Sequence, residues 1–422
     1  MVNLVGKFLV MTMIAFWAGL FMTEISAQNE VHLKVQKEGF EPIVLFISDF
    51  GEENGNSFRE ILINDLKLSG FFIVVDLVNP TDSLKISNSS ARAGLSGSLE
   101  IKKNNLKFSS RLVELPGTRQ IFDKKFEAEI SDARSLAHEV ADEIVYYLVG
   151  EKGIANSKIA FTVAKGKAKE IAIIDMDGHG ILQLTYNNSL NLSPAWSPNG
   201  RQIAFTSYAS GRPELLIQDI ADGKVYKMSK LQGLYSAPAW SPDGKKIALT
   251  ITQNGNAEIY SIDVKDGSLR RLTNHPAIDS SPTWAPNGRE IAFTSDRSGN
   301  PQIYLMDAMG GNVRRLTFEG KYNDSASWSP RGDLIAFVSR EDGGFQVYTI
   351  DINGAQLRRL TAGSENHENP VWSPDGLKIA FAMGRGMRWD IYMINWDGSG
   401  MRAVTSGGNN ASPRWSPRFD YN

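Results

Sequence analysis

From residue 158 onward the hydrophobic positions fall into short runs separated by polar, glycine-containing turns, and the runs recur in a fixed order. "KIAF" (158–161), "QIAF" (202–205), "KIAL" (246–249), "EIAF" (290–293), "LIAF" (334–337) and "KIAF" (378–381) form one series. A second series has the form I-Y-x-x-D, as in "QIYLMD" (302–307), and a third closes each unit, as in "VRRLT" (313–317). A P-x-W-S phrase or a close variant of it (P-T-W-A at 282–285, A-S-W-S at 326–329) makes the fourth, with tryptophans at Trp196, Trp240, Trp284, Trp328, Trp372 and Trp415, spaced 44, 44, 44, 44 and 43 residues apart. Constant spacing over six occurrences is the signature of a structural repeat.

Each unit reads as four short strands. P-x-W-S is the first, and the [DN]-G pair after it turns the chain because Asn and Gly tolerate positive φ. I-A-F is the second strand, I-Y the third and R-L-T the fourth. Four antiparallel strands in a unit of this length make a β-propeller blade, so the pattern predicts an all-β, six-bladed, WD40-like propeller over 153–422. The first unit, 157–185, lacks a P-x-W-S strand, and "SPRWSPRFDYN" (412–422) has that strand alone. Together they complete one blade, so a C-terminal strand is expected to close the first blade and remove its open edge. The tryptophans then read as packing residues between blades, since large aromatics are mostly core.

The turns after strands one and three are short and uniform. Those after strands two and four vary, as in "SDRSGNP" (295–301), "SREDGGF" (339–345), "TFEGKYNDS" (317–325) and "TAGSENHEN" (361–369). Alternating strand direction puts both variable sets on one side of the disk, where recognition is expected.

Residues 28–152 have a different texture and predict a small α/β domain. Strands are expected in "VHLKV" (31–35), "EPIVLFISDF" (41–50), "FFIVVD" (71–76), across a hairpin at 95–115, and in "KKFEAEI" (124–130). Helical spacing marks 57–70 and 131–150, the second with Ser131 as candidate N-cap and Gly150 as its stop. Before this domain, Lys7, the apolar stretch Phe8–Met22 and "TEISA" (23–27) read as a signal peptide over 1–27. The apolar run of 15 residues is shorter than the ~20 a membrane-spanning helix needs. An exported product is therefore expected, with no membrane insertion once the signal is removed.

Composition narrows the function. With 45 basic and 47 acidic residues the net charge is -2, and no long run of either sign is present. That is not the electrostatic footprint of a nucleic-acid binder. Cysteine is absent, which excludes disulfides and thiolate metal sites. There is no G-x-S-x-G elbow, P-loop, H-E-x-x-H or dinucleotide fingerprint. "DMDGHG" (175–180) has its glycine too early for a calcium loop and reads as a turn. His138 falls in the second helix and reads as a packing or surface residue. No catalytic constellation, metal or cofactor is expected.

The leader, an α/β unit ending in "LVGEKG" (148–153), and six units of the form S-P-x-W-S-P-D-G-x-x-I-A-F…I-Y…R-L-T resemble the TolB family. These are the periplasmic PD40-repeat propellers of the Tol-Pal cell-envelope system. The resemblance implies a non-enzymatic adaptor that supports outer-membrane integrity and constriction at division. Its implied partners are a Pal-like outer-membrane lipoprotein at the propeller's loop-bearing face and a TolA-like inner-membrane protein at the mature N-terminus. The second would engage Val31, Leu33 and Val35. The first is expected to contact the rim at Tyr235, Ser236, Asp279, Ser280, Tyr322, Asn323, Asp324, His367, Glu368, Asn369, Asn409 and Asn410. The chain departs from the family pattern at Leu234 and Ser281, where a histidine and a glutamate are usual, so the rim is expected to act as a surface rather than contact by contact. A monomer is expected. The rival reading is an exported ligand-binding or hydrolase- or lyase-type propeller acting on peptide or carbohydrate.

Overall fold

In the computed structural model, residues 41–51, 55–77, 91–117, 119–228, 232–341 and 343–419 are described. The leader and Val31, Leu33 and Val35 lie outside them. Among the described residues, the N-terminal unit has one five-stranded sheet and two α-helices. Strands β1 (Ile43–Ser48), β2 (Phe72–Leu77), β3 (Ala93–Lys102), β4 (Asn105–Glu114) and β5 (Gln120–Glu129) lie in the order β2-β1-β3-β4-β5. β1 runs parallel to both β2 and β3, and the rest is antiparallel. A parallel pair needs a crossover, and helix α1 (Gly55–Ser69) supplies it between β1 and β2.

The helices form where the apolar spacing says they should. α1 buries Phe58, Leu62 and Leu66, one per turn, and α2 (Ala133–Val149) buries Leu136, Val140, Ile144 and Leu148 on its matching stripe. Each such side chain taken fully out of water stabilises the fold by about 1.5–3 kcal/mol. Gly150 ends α2 at φ 82°, its amide bonded to the Tyr146 carbonyl at 2.8 Å. Ser131 is not the N-cap. A 3-10 turn, Ile130–Asp132, precedes the helix, which moves the cap to Asp132.

The remaining chain forms six four-stranded antiparallel sheets. Taking the clasp blade as blade 1, the innermost strands are Asn410–Trp415, Asn191–Trp196, Leu234–Trp240, Asp279–Trp284, Asn323–Trp328 and Asn366–Trp372. In blade 1 the strand Asn410–Trp415 pairs with Lys158–Lys165, with Trp415 opposite Ile159. The predicted closure is therefore present.

Every innermost strand carries a β-bulge in the same place. Ser193, Ala237, Ser281, Ser325, Asn369 and Ser412 have φ between 48° and 57°, and each pairing shifts register there. Five of the six precede proline, which has no N–H to give the ladder. Beyond the bulge the tryptophans link blades. The indole N–H donates to the carbonyl just before the preceding blade's tryptophan: Trp196 to Arg414 (3.1 Å), Trp240 to Ala195 (3.2 Å), Trp284 to Ala239 (3.1 Å) and Trp372 to Ser327 (3.1 Å). The outer strands link blades too, as Arg314 donates to the Ile352 carbonyl of the next blade at 3.2 Å.

The N-terminal unit sits on the face made by the short, uniform turns. Arg134 of α2 pairs with Asp175 and Asp177 in the turn between strands three and four of blade 1. Glu151 meets Arg331 at 3.0 Å, and Leu377 packs against the N-terminal core. His138 is buried at this seam, with Nδ1 2.6 Å from Asp65 and Nε2 3.8 Å from Asp175. Burial opposes its protonation, but the Asp175 and Asp65 carboxylates outweigh that and lift its pKa to about 9. Burial would likewise raise Asp175, yet His138, Lys158 and Arg134 hold it well below the usual carboxylate range. The seam is thus ionic as well as apolar. Among the described residues, these contacts leave the face bearing the variable connections uncovered by the N-terminal unit.

Candidate functional site

The open face is built from the start of each innermost strand and the connections on either side. One position recurs there: Asn191, Tyr235, Asp279, Asn323, His367 and Asn410. All six are buried. This corrects the expectation for five of them, Tyr235, Asp279, Asn323, His367 and Asn410, which are not on the exposed rim.

The reason is a hydrogen-bond staple between consecutive blades. In blade 1, Thr185 donates to Glu170 at 2.5 Å and accepts the Ile171 amide at 2.9 Å, while Asn191 donates to the same carboxylate at 2.9 Å. In blade 4, Thr317 and Asn323 both donate to Gln302 at 2.8 Å. In blade 6, Thr405 and Asn410 both donate to Asp390, at 2.9 and 2.8 Å. A polar group taken out of water must be bonded, and here it bonds the end of one blade to the start of the next. The other three positions are buried differently. Tyr235 packs in the apolar cluster with Leu249 and Ile251. His367 lies against the Phe381 ring at 5.4 Å, and burial lowers its pKa. Asp279 is ion-paired with Arg297 at 2.7 Å.

The remaining rim residues are accessible. Ser236 and Asn409 are exposed, and Ser280, Tyr322, Asp324, Glu368 and Asn369 are half-buried. Tyr322, Asp324 and Glu368 act on one another across blades 5 and 6. Asp324 accepts bonds from the Thr294 hydroxyl at 2.7 Å and the Ser325 amide at 2.6 Å. Burial and then the Asp324 charge raise the Glu368 pKa, and the same two causes raise that of Tyr322. The sequence reading did not select Phe318, Ile278 or Met387, which are 71%, 50% and 93% exposed in the variable connections. A large apolar residue in an otherwise polar loop was the available signal. Among the described residues, no group of three or more His, Asp or Glu side chains could hold a metal ion.

A six-bladed ring closed by its last strand, with an α/β unit on the opposite face from the variable loops, is the arrangement to compare with known proteins. A family model described as the TolB beta propeller domain matches residues 146–419. The chain belongs to the TolB β-propeller family. It is 29% identical to TolB from Acinetobacter baumannii, whose crystal structure matches at a TM-score of 0.79 over 89% of this chain and 97% of that one. The Tol-Pal system protein TolB of Geobacter metallireducens is 44% identical over 100 residues, covering 24% of this chain and 23% of its own length. That of Anaeromyxobacter sp. (strain K) is 35% identical over 197 residues, 42% of this chain and 45% of its own length. The aligned part therefore spans less than half of these curated TolB relatives.

Proposed function

We propose that this protein is a non-enzymatic, periplasmic adaptor of a Tol-Pal system. Its propeller would receive a Pal-like lipoprotein on the loop-bearing face, and the segment containing Val31, Leu33 and Val35 would engage a TolA-like inner-membrane protein by strand addition. The observation that carries this reading is the division of the molecule into two opposed ends. The α/β unit covers the uniform-turn face of the disk, through Arg134, Glu151 and Leu377, and among the described residues it leaves the face of variable connections to a macromolecule. Ser236, Ser280, Tyr322, Asp324, Glu368, Asn369 and Asn409 are the rim residues accessible for such contacts. Membership of the TolB family supports the same assignment.

The test is a titration of the mature chain, and of a chain lacking residues 28–35, with the soluble domain of each partner. The shortened chain is expected to lose the inner-membrane partner. If the full chain binds neither partner, the adaptor reading fails. If both chains bind the inner-membrane partner equally, the N-terminal site is wrong.

A further inference from the structure

The hairpins that join strands two and three of blades 1 and 6 end in basic tips, side by side on the loop-bearing face. In blade 1 the strands Lys158–Lys165 and Ala168–Asp175 turn through Gly166 and Lys167. In blade 6 the strands Lys378–Arg385 and Arg388–Asn395 turn through Gly386 and Met387. Gly166 and Gly386 both have φ 63°, which permits the tight two-residue reversal at each tip. All four strands have eight residues, against six in the equivalent strands of blades 2 and 4. The difference carries the paired ladder about 7 Å further out. The segment Gly408–Asn409 lies between the two hairpins and ties them together. The Gly408 carbonyl accepts the Trp389 amide at 3.1 Å, and the Asn409 carbonyl accepts the Ala164 amide at 2.8 Å.

Lys165, Lys167 and Lys169 of one hairpin and Arg385 and Arg388 of the other are exposed. Among the described residues, none of these five makes an ion pair. Lys165 and Arg385 bond neutral oxygens, those of the Gln183 side chain and the Ser364 backbone. The carboxylates of the same strands are held below the tips, Glu170 by Thr185 and Asn191 and Asp390 by Thr405 and Asn410. The equivalent hairpin of blade 3 ends in Gln253, Asn254, Gly255 and Asn256, which carry no charge. Among the cations, Met387 is 93% exposed, and beneath it the half-buried Trp389 donates its indole N–H to the Gly386 carbonyl at 2.9 Å. The chain's net charge of -2 provides no general attraction to an anion, so these tips are a local feature.

We propose that the paired hairpin tips of blades 1 and 6 make a peripheral contact with an anionic phospholipid surface, at headgroup depth and with no strand crossing it. Phosphate headgroups take the five charges, while the thioether and the indole reach the boundary between headgroups and acyl chains. A projecting turn offers an acidic protein no concave surface to fill, and cations without fixed partners suit mobile headgroups better than fixed carboxylates. The proposal does not rest on the adaptor reading: it is tested on vesicles that carry no protein, so the failure of either leaves the other standing.

The probe is a vesicle of phosphatidylethanolamine and phosphatidylglycerol, with phosphatidylcholine vesicles as control, and binding of the mature chain is read by co-sedimentation. The chain should bind the anionic vesicles and not the control, and raised salt should release it. Lys165→Gln with Lys167→Gln, and Arg385→Gln with Arg388→Gln, should each weaken binding by about tenfold or more at an unchanged Tm. Because the chain has no cysteine, Met387→Cys supplies a single thiol for an environment-sensitive fluorophore. Its emission should shift to the blue on anionic vesicles, whereas the same label at Ala221→Cys, exposed in a uniform turn of blade 2, should not respond. The proposal is overturned if the chain binds both vesicles alike, if neither charge-removing pair weakens binding, or if the label at 387 does not shift. Retention on immobilised polyglutamate without binding to anionic vesicles would assign the same charges to an acidic protein and overturn it as well.

Discussion

The indole N–H of Trp415 donates to the Ser157 hydroxyl at 2.8 Å, joining positions 258 residues apart. Around it the Ser416 amide bonds the Lys158 carbonyl at 2.8 Å. This seam is where the ring closes. Trp415→Ala is expected to cost about 3–5 kcal/mol, the usual range for truncating a buried tryptophan. Chemical denaturation measures it, and an unchanged midpoint would refute the clasp as a stabilising element.

The tryptophans are not equivalent, which permits a finer comparison. Trp328 Nε1 is buried without an acceptor, whereas Trp415 and Trp372 have one. Trp328→Phe therefore loses no hydrogen bond, whereas Trp372→Phe loses the bond to the Ser327 carbonyl. The second variant should be less stable than the first by about 1 kcal/mol. Equal denaturation midpoints would show that the indole bonds contribute nothing net.

Asp279 separates a structural role from a contact role. It is fully buried and paired with Arg297, so Asp279→Ala should destabilise by about 3–5 kcal/mol through the uncompensated cation left behind. Asn409→Ala, at an exposed position, should stay within about 0.5 kcal/mol of the parent. If Asp279→Ala melts like the parent, the ion pair is not a stabilising part of blade 4.

His138 predicts a pH dependence at the seam between the two units. Its pKa rises from 6.5 to about 9 on folding, so its contribution is complete below 6.5 and disappears as the pH climbs through 9. That contribution is on the order of 3 kcal/mol. Asp175, held low, acts in the opposite sense: its contribution is present above its ordinary pKa of 3.8 and disappears on acidification below it. His138→Gln should flatten the stability profile between pH 6.5 and 9 and leave a smaller acid limb, carried by the Lys158 and Arg134 charges that still face Asp175. A parent chain whose stability does not fall between those pH values would contradict the assignment.

The ring was legible because its cause is periodic. Identical short strands need identical turns, so Trp196 through Trp415 repeat at constant spacing and the missing and surplus strands at 157 and 412 complement one another. The site was less legible because the polar residues that begin each innermost strand look like loop residues. Asn323 and Asn410 are polar in order to bond Gln302 and Asp390 of the preceding blade, a partner some 20 residues back that periodicity does not reveal. Asp279 and His367 occupy the same slot with other partners, so neither polarity nor position in the repeat distinguishes a buried staple from an exposed contact. The seam at His138 was hidden for a related reason. A histidine on an amphipathic helix acquires its charge partners, Asp65 and Asp175, only when another helix and a distant turn are brought to it.

The clasp also orders events in time. A chain emerging N-terminus first can complete the β1–β5 sheet and both helices from local neighbours, whereas the strand Lys158–Lys165 waits for Asn410–Trp415 before its inner edge is paired. Until those residues arrive, every blade built between them belongs to an open arc, with a bare edge ready to pair with another chain. Such long-range closure is slow, because it brings distant segments together before any contact rewards it. Closure is thus expected to follow the building of the blades between these strands, and a chaperone that shields the edge of Lys158–Lys165 is expected to raise the yield of rings without changing the stability of the finished one.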